Sequence, residues 1–517
     1  MLFRSLRVRA ARSAHHGTAA RSAVGGALFL GLDVGTSGVK AILVDANGEI
    51  RAAATAPLSL ETPQPGWAEQ DPEDWWDASC AAIRDVLARE PTARVEAVGI
   101  SGQMHSSVFL DKKGAVIRAA LLWSDGRTTA ECREIETRAG GEDRLRDWVR
   151  NPALEGFTLP KVLWLRNHEP EAFARLSKIL LAKDFVRLRL TGILATEPSD
   201  ASGTLMFDPA RMRWSSEMLE AVDLSASLLP DVGGSSQVLG NISEAGARLS
   251  RLVPGTPVVG GGADNACGAA GVGAVTPGDA VSSWGTSGTV LAPVAAPRVD
   301  PKLRAHTFCH VVPGVWYVMG VVLSAGGAFA WYRDQCARDL PEPSRDDVLV
   351  DEASATPAGA DGVTFIPYLQ GERTPHRDSS LRAAFVGLSL AHSRGHMTRA
   401  VLEGVCFALR DSLEILRELG LLPQQLLLTG GGAKSAFIRQ LQADIFGLPV
   451  ATVNREEGGA YGAALLAAVG AGAFPDLETA VQRTLTRRPS ATPHPETHKA
   501  YEHIYARFKS RLLVARA

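Results

Sequence analysis

The tetrapeptide Gly-Thr-Ser-Gly occurs at residues 35–38 and again at 285–288, and each copy joins two short apolar runs. Residues 28–34 (LFLGLDV) enter the first copy and 39–44 (VKAILV) leave it, after which Asn47-Gly48 turns the chain into a third run, 49–54. Residues 279–284 (DAVSSW) enter the second and 289–293 (TVLAP) leave it. Four small residues can recur by chance, but the agreement of their surroundings predicts a β-hairpin with the same turn at the head of each half. A chain of 517 residues, 45% hydrophobic, is long enough to give each half its own core.

Between the hairpins, strand and helix signals alternate, which implies α/β layers. Asp71-Pro72-Glu73-Asp74 opens a helix, with a capping carboxylate, proline at the first position and acids at the positive helix end; Pro91 closes it. Residues 95–101 read as a buried strand, 396–419 as a long amphipathic helix, and 425–429 as a strand after it. Val253-Pro-Gly-Thr-Pro257 marks a break, so we place a first domain at 27–254, a second at 255–487, and a terminal helix within 488–517. Residues 1–26 hold five arginines and no acid, and are expected to be a disordered basic leader; a transit-type leader has the same composition. Residues 315–332 carry no charge, yet Gly320, Ser324, Gly326 and Gly327 mark a buried strand turning into a helix, not a membrane span.

Bulk charge narrows the partners. Fifty-four Lys plus Arg against 56 Asp plus Glu give a net charge of -2, which recommends no nucleic acid partner and leaves a small molecule as the expected ligand. Six separated cysteines without a CxxC pair fit neither a disulfide framework nor a zinc site, and suit a reducing, cytoplasmic setting.

A phosphate-binding turn needs glycines, so that backbone N–H groups converge on an anion, and hydroxyls that add hydrogen bonds. Gly35, Thr36, Ser37 and Gly285, Thr286, Ser287 supply both, while neither a Walker A motif nor a Rossmann GxGxxG is present; a ligand-free hairpin is the competing explanation of either copy. Gly431, Gly432 and Ala433 follow an apolar strand, where a flat group such as adenine lies against bare backbone, or where strand and helix merely pack closely. Asp264 follows Gly260-Gly261-Gly262-Ala263, and a carboxylate there suits a base that takes a hydroxyl proton during phosphoryl transfer; a helix cap is the alternative. Asp33 ends an apolar strand, where a carboxylate needs a partner: Mg²⁺ reached through water, or a salt bridge to Lys40. Gln103, Met104 and His105 are positioned to read sugar hydroxyls and cover an apolar edge, although a histidine by itself is more often structural.

These blocks in this order, LDVGTSGVKAILVD, WAEQDPEDWW, GISGQMH, LLWSDGR, LAKDFVRLRLTG, GGADNACGA, WGTSG, PYLQGERTPH and TGGGAKS, resemble the FGGY family of carbohydrate kinases, and within it the xylulokinases. The resemblance runs from residue 28 to the C-terminus. It implies two actin-like (ribonuclease H-like) domains around a cleft that closes on its substrates, sugar on the first domain and ATP on the second. It implies Asp264 as general base, Asp33 near magnesium, Thr36 and Thr286 in phosphate turns, Gly431, Gly432 and Ala433 at adenosine, and Gln103, Met104 and His105 at the sugar. The last helix, about 494–513, is expected to pack back on the first domain, and a homodimer is compatible with this reading. D-xylulose is the implied substrate, with D-ribulose, another ketose or a polyol as runner-up; a non-catalytic sugar sensor is the alternative of another class. Ser124, Trp284 and Gly458–Ala463 (GGAYGA) depart from the family pattern.

Overall fold

A computed structural model describes residues 26–512 apart from Ala93 and Glu456, so the expected basic leader lies almost wholly outside the described residues. The described residues form two seven-stranded mixed sheets with helices on their faces. In the first sheet β1 (Ala27–Val34), β2 (Gly38–Asp45) and β3 (Ile50–Pro57) form an antiparallel meander. Strand β4 (Arg94–Gly102) lies parallel to β1 on the other side. Beyond it come β6 (Pro257–Val259), parallel, and β5 (Val238–Asn241), antiparallel, while β7 (Gly262–Ala263) also pairs with β4.

The second sheet repeats this plan. β8 (Asp279–Trp284) and β9 (Gly288–Val294) form the hairpin, and β11 (Trp316–Val322) then β10 (His306–Cys309) extend it antiparallel. On the far side β12 (Gln425–Gly430) and β13 (Val450–Val453) run parallel, and β14 (Arg487–Ala491) closes the edge antiparallel. Thus the duplication read from one tetrapeptide extends to the strand order of both sheets.

Strand periodicity explains how the sheets meet. Along β1 the even-numbered Leu28, Leu30, Leu32 and Val34 share a core with Trp75, Trp76 and Ile83 of α1 (Pro72–Arg89), whose N-cap is Asp71. The odd-numbered Phe29, Gly31 and Asp33 therefore turn to the other face, where α8 (Gly458–Gly470) crosses back from the second half of the chain. Glycines make that crossing close: a Cβ on Gly31 would lie 2.0 Å from the Ala460 carbonyl oxygen, and one on Gly99 1.9 Å from that of Ala463. The GGAYGA departure belongs to this helix, and Gly462 meets the carbonyl of Cys267 on α4 (Asp264–Gly271) in the same way.

Two expectations need correction. The break near 255 comes too early, because residues 253–256 only lead from the helix Glu244–Ser250 into β6, and both β6 and β7 belong to the first sheet. The terminal helix α9 (Pro495–Arg511) packs on the second domain, not the first. Its stripe of Tyr501, Tyr505 and Phe508 shares a core with Phe407 of α6 (Arg394–Glu418), and its phenols reach carboxylates of that helix: Tyr501 donates to Glu403 at 2.8 Å and Tyr505 donates to Asp411. All six cysteines are unpaired thiols. No helix among the described residues is long and apolar enough to cross a membrane, and residues 316–336 form β11 and α5 (Gly326–Cys336).

Candidate active site

Two cavities adjoin at the second Gly-Thr-Ser-Gly turn. The larger, about 920 Å³, lies in the second domain, with Trp284, Gly285, Thr286, Phe329, Gly431 and Gly432 among its walls. The smaller, about 300 Å³, lies between the domains, with Met104, His105, Trp123, Asp264 and Asn265 on one side and Ser283, Ser287 and Arg373 on the other. Gly285 borders both.

The larger cavity follows from strand ends. Gly430, at φ 83°, ends β12; residues Gly431–Lys434 make a tight turn into α7 (Ala436–Phe446), capped by Ser435. A Cβ on Gly432 would lie 2.7 Å from Cγ of Trp284, so the indole that departs from the family pattern is the floor beneath this bare backbone. Gly431 and Gly432 line the cavity and Ala433 does not. Phe329 and Ala330 of α5 and Phe437 of α7 also line it. Sequence reading passed them over, although Gly326-Gly327 marked the turn that brings α5 there: the Gly326 and Gly327 N–H groups donate to the carbonyls of Gly285 and Thr286 at 2.8 and 2.9 Å.

The two turns differ in use. No hydrogen bond among the described residues engages the hydroxyls of Thr286 and Ser287, so both are free for phosphate oxygens. Around the first turn, Thr36 Oγ1 accepts from Trp123 Nε1 at 2.9 Å and donates to Gln103 Oε1 at 3.2 Å, and Gly35, Thr36 and Ser37 line neither cavity. Gln103 does not line the interdomain cavity either. Its carbonyl also accepts from Ser106 at 3.1 Å and its amide reaches Gln70 at 3.3 Å, so it braces the turn from behind.

Asp264 opens α4 at the smaller cavity. Its Oδ1 accepts from the backbone and side-chain nitrogens of Asn265 at 2.6 and 2.8 Å, leaving Oδ2 without a hydrogen bond among the described residues. The capping alternative and the base thus use different oxygens of one carboxylate. Burial, and then the charge of Asp33, push its pKa up to about 7. Asp33, also raised by burial, sits where β1 meets the start of α8, so that a Cβ on Gly459 would lie 2.9 Å from its Oδ2. Its Oδ1 is buried and unpaired. Lys40 does not bond it, pairing with Glu457 at 2.5 Å.

His105 sits at φ 68°, an unusual conformation for a residue with a Cβ, held by three contacts. Thr158 Oγ1 and Lys161 Nζ each donate to its carbonyl at 3.1 Å, and its Nδ1 lies 2.5 Å from the Gly203 carbonyl. A carbonyl only accepts, so Nδ1 carries the proton. Burial, then the Lys161 charge, lower the ring's pKa to about 3, so it is neutral with Nε2 available to accept from a sugar hydroxyl. Behind the Gly260–Ala263 loop lies a buried ionic network that sequence reading did not foresee. Lys183 contacts Asp184 at 2.7 Å, Asp200 at 3.4 Å and Glu197 at 3.6 Å. Arg187 donates to the Gly260 carbonyl at 3.1 Å, and Ser199 accepts from the Ala263 N–H at 2.9 Å.

The comparisons fit this geometry. The profile of the N-terminal domain of the FGGY family of carbohydrate kinases matches residues 28–271, and that of its C-terminal domain matches 280–471. This chain belongs to that family. The FGGY kinase is 39% identical over 483 residues to the xylulose kinase of Bacillus subtilis, covering 93% of this chain and 96% of the relative. It is 41% identical over 445 residues to that of Escherichia coli, covering 86% and 90%. A solved ligand-bound xylulose kinase from Lactobacillus acidophilus superposes with a TM-score of 0.89 at 28% identity, covering 95% of the kinase and 99% of that chain. The family boundary, between 271 and 280, agrees with the corrected end of the first sheet. As a kinase it takes its phosphoryl group from ATP.

Proposed function

We propose that this kinase transfers the γ-phosphoryl group of ATP to the terminal 5-hydroxyl of D-xylulose, giving D-xylulose 5-phosphate and ADP. The observation that carries the reading is the place of Asp264, which keeps one carboxylate oxygen without a hydrogen bond among the described residues and lines an interdomain cavity that meets the larger cavity at the Gly285–Ser287 turn. The choice of sugar is supported by the xylulose kinases that the chain matches over nearly its whole length.

In this reading ATP lies over Gly431 and Gly432 with its phosphates at Thr286 and Ser287. His105 Nε2 accepts from one sugar hydroxyl. As Asp264 Oδ2 takes the proton of O5, that oxygen forms the new bond to the γ-phosphorus while the bond to the β,γ-bridging oxygen breaks and its electrons leave on ADP. Positioning and charge neutralisation supply most of the rate. The residues present fit a magnesium ion: Asp33 keeps a buried, unpaired oxygen, and its charge helps to raise the pKa of Asp264. Bound there, the ion would neutralise phosphate charge, with Asp33 facing it.

The test is a substrate panel of D-xylulose, D-ribulose, D-fructose, xylitol and glycerol in a coupled ADP-release assay. The expected result is a kcat/KM for D-xylulose at least about tenfold above the others, a margin of roughly 1.4 kcal/mol. A preference for D-ribulose or a polyol overturns the choice of sugar, and no turnover with any overturns the enzyme.

A further inference from the structure

Arg373 belongs to the second domain and reaches into the sugar site of the first. Its loop is fixed to β11: Thr374 donates from its N–H to the Val321 carbonyl at 3.0 Å and accepts from the Val321 N–H at 3.0 Å. Glu372 accepts from the N–H groups of Leu323 and Arg373 at 3.0 and 2.7 Å. From this anchor the side chain crosses the cleft. A Cβ on Gly156 of the first domain would lie 2.8 Å from Arg373 Nη2 and 2.7 Å from the Trp123 carbonyl, so the guanidinium rests where only glycine leaves room. It lines the interdomain cavity with Met104, His105 and Asn265.

Among the described residues this guanidinium makes no hydrogen bond and no ion pair, although burial is deep enough to lower its pKa. Five donors that face a cavity without a protein acceptor of their own are free for a ligand that supplies the acceptors. The surroundings point to a neutral, oxygen-rich ligand: Lys161, whose pKa burial pulls well down, is already bonded to the Gly156 carbonyl at 2.7 Å, and His105 is uncharged. The charges that bear on Arg373 are those of Glu155 and Glu372, whereas the one that bears on Asp264 is that of Asp33. Arg373 and Asp264 thus line one cavity in different charge surroundings.

We propose that Arg373 binds the hydroxyketone end of the substrate, its planar fork donating to the C2 carbonyl and C1 hydroxyl oxygens, and so selects ketoses over the corresponding polyols. This rests on reading the site as that of a ketose kinase, in which O5 faces Asp264 and the opposite end of a five-carbon 2-ketose is C1–C2. Two adjacent, nearly coplanar acceptors match a guanidinium and do not match an ammonium or an amide equally. Because the residue comes from one domain and its pocket from the other, the same contact ties sugar binding to cleft closure.

The test compares Arg373→Gln and Arg373→Lys with the parent enzyme, using D-xylulose and xylitol, the latter as substrate or competitive inhibitor. Loss of a charge-assisted pair of hydrogen bonds is expected to raise KM for D-xylulose by about 10- to 100-fold in Arg373→Gln, with kcat and KM for ATP within about threefold. Xylitol affinity should barely move, so the ketose preference collapses; Arg373→Lys, which keeps the charge and loses the fork, should fall between. If Arg373→Gln fails to fold by thermal melting, the lysine variant carries the same comparison. A fall in kcat at unchanged KM places Arg373 on the transferred phosphoryl group and overturns the proposal. Equal losses for ketose and polyol, or no change, overturn it as well. A parent enzyme that phosphorylates no ketose removes the functional reading itself, which the variants alone cannot do.

Discussion

If Asp264 is the base, its ionisation sets the pH dependence of turnover. Burial, and then the nearby Asp33 carboxylate, hold its pKa at about 7 in place of the usual carboxylate range. The sign is fixed by the chemistry: a raised pKa keeps the proton on the acid up to that pH, and only the ionised form accepts a proton from O5. kcat/KM for D-xylulose should therefore be flat above pH ~8, half-maximal near 7, and about a tenth of its plateau at pH 6, since one unit below a pKa leaves roughly one group in ten ionised. Measured by ADP release at saturating ATP, the profile should fall with unit slope on the acid side. Asp33→Asn then separates the two causes. It lowers activity overall, but removing the neighbouring negative charge should move the acid limb to lower pH, while the contribution of burial remains. A profile flat from pH 5 to 8 refutes Asp264 as the group that must ionise, and an alkaline shift in Asp33→Asn refutes the coupling.

Two further outcomes follow from packing. Lys183→Met leaves Asp184, Asp200 and Glu197 facing one another without their shared cation, with Arg187 still contacting Asp184. Breaking a buried ionic cluster costs roughly 3–5 kcal/mol, so the melting temperature should drop on the order of 10 °C, measured by calorimetry; an unchanged melt contradicts the network's role. Gly432→Ala drives a methyl into the Trp284 indole, and overpacking of about 1–3 kcal/mol should raise KM for ATP roughly tenfold while sugar affinity, read by calorimetry, stays constant. Equal ATP affinity in that variant contradicts the adenosine assignment.

What was legible in the sequence was local. Turn chemistry announced both hairpins, a capping aspartate and proline announced α1, and glycines after apolar strands announced Gly431 and Gly432 at one cavity and Asp264 at the other. What was not legible depends on contacts between distant segments. Gln103 stands beside two residues that do line the interdomain cavity, yet Thr36 and Ser106 claim its carbonyl, and nothing in GISGQMH distinguishes a side chain facing the cavity from one facing the turn. The aromatic stripe of α9 fits either domain by hydrophobicity alone; the carboxylates of Glu403 and Asp411 on α6 decide the matter. The GGAYGA departure marks the place where a helix backbone touches strands some 360 to 430 residues earlier, a distance at which no periodicity speaks. Arg373 lay within a recognised block, PYLQGERTPH, but its passage across the cleft needs the room left by Gly156, far away in the chain.

The most direct trial of the whole account is Asp264→Ala assayed for both turnover and binding of D-xylulose. With the base gone and the rest of both cavities kept, turnover should fall at least about 10²-fold, while calorimetry finds D-xylulose bound within a few-fold of the parent affinity. Near-parent turnover in that variant would contradict the assignment of this carboxylate, and with it the chemistry placed between the two domains.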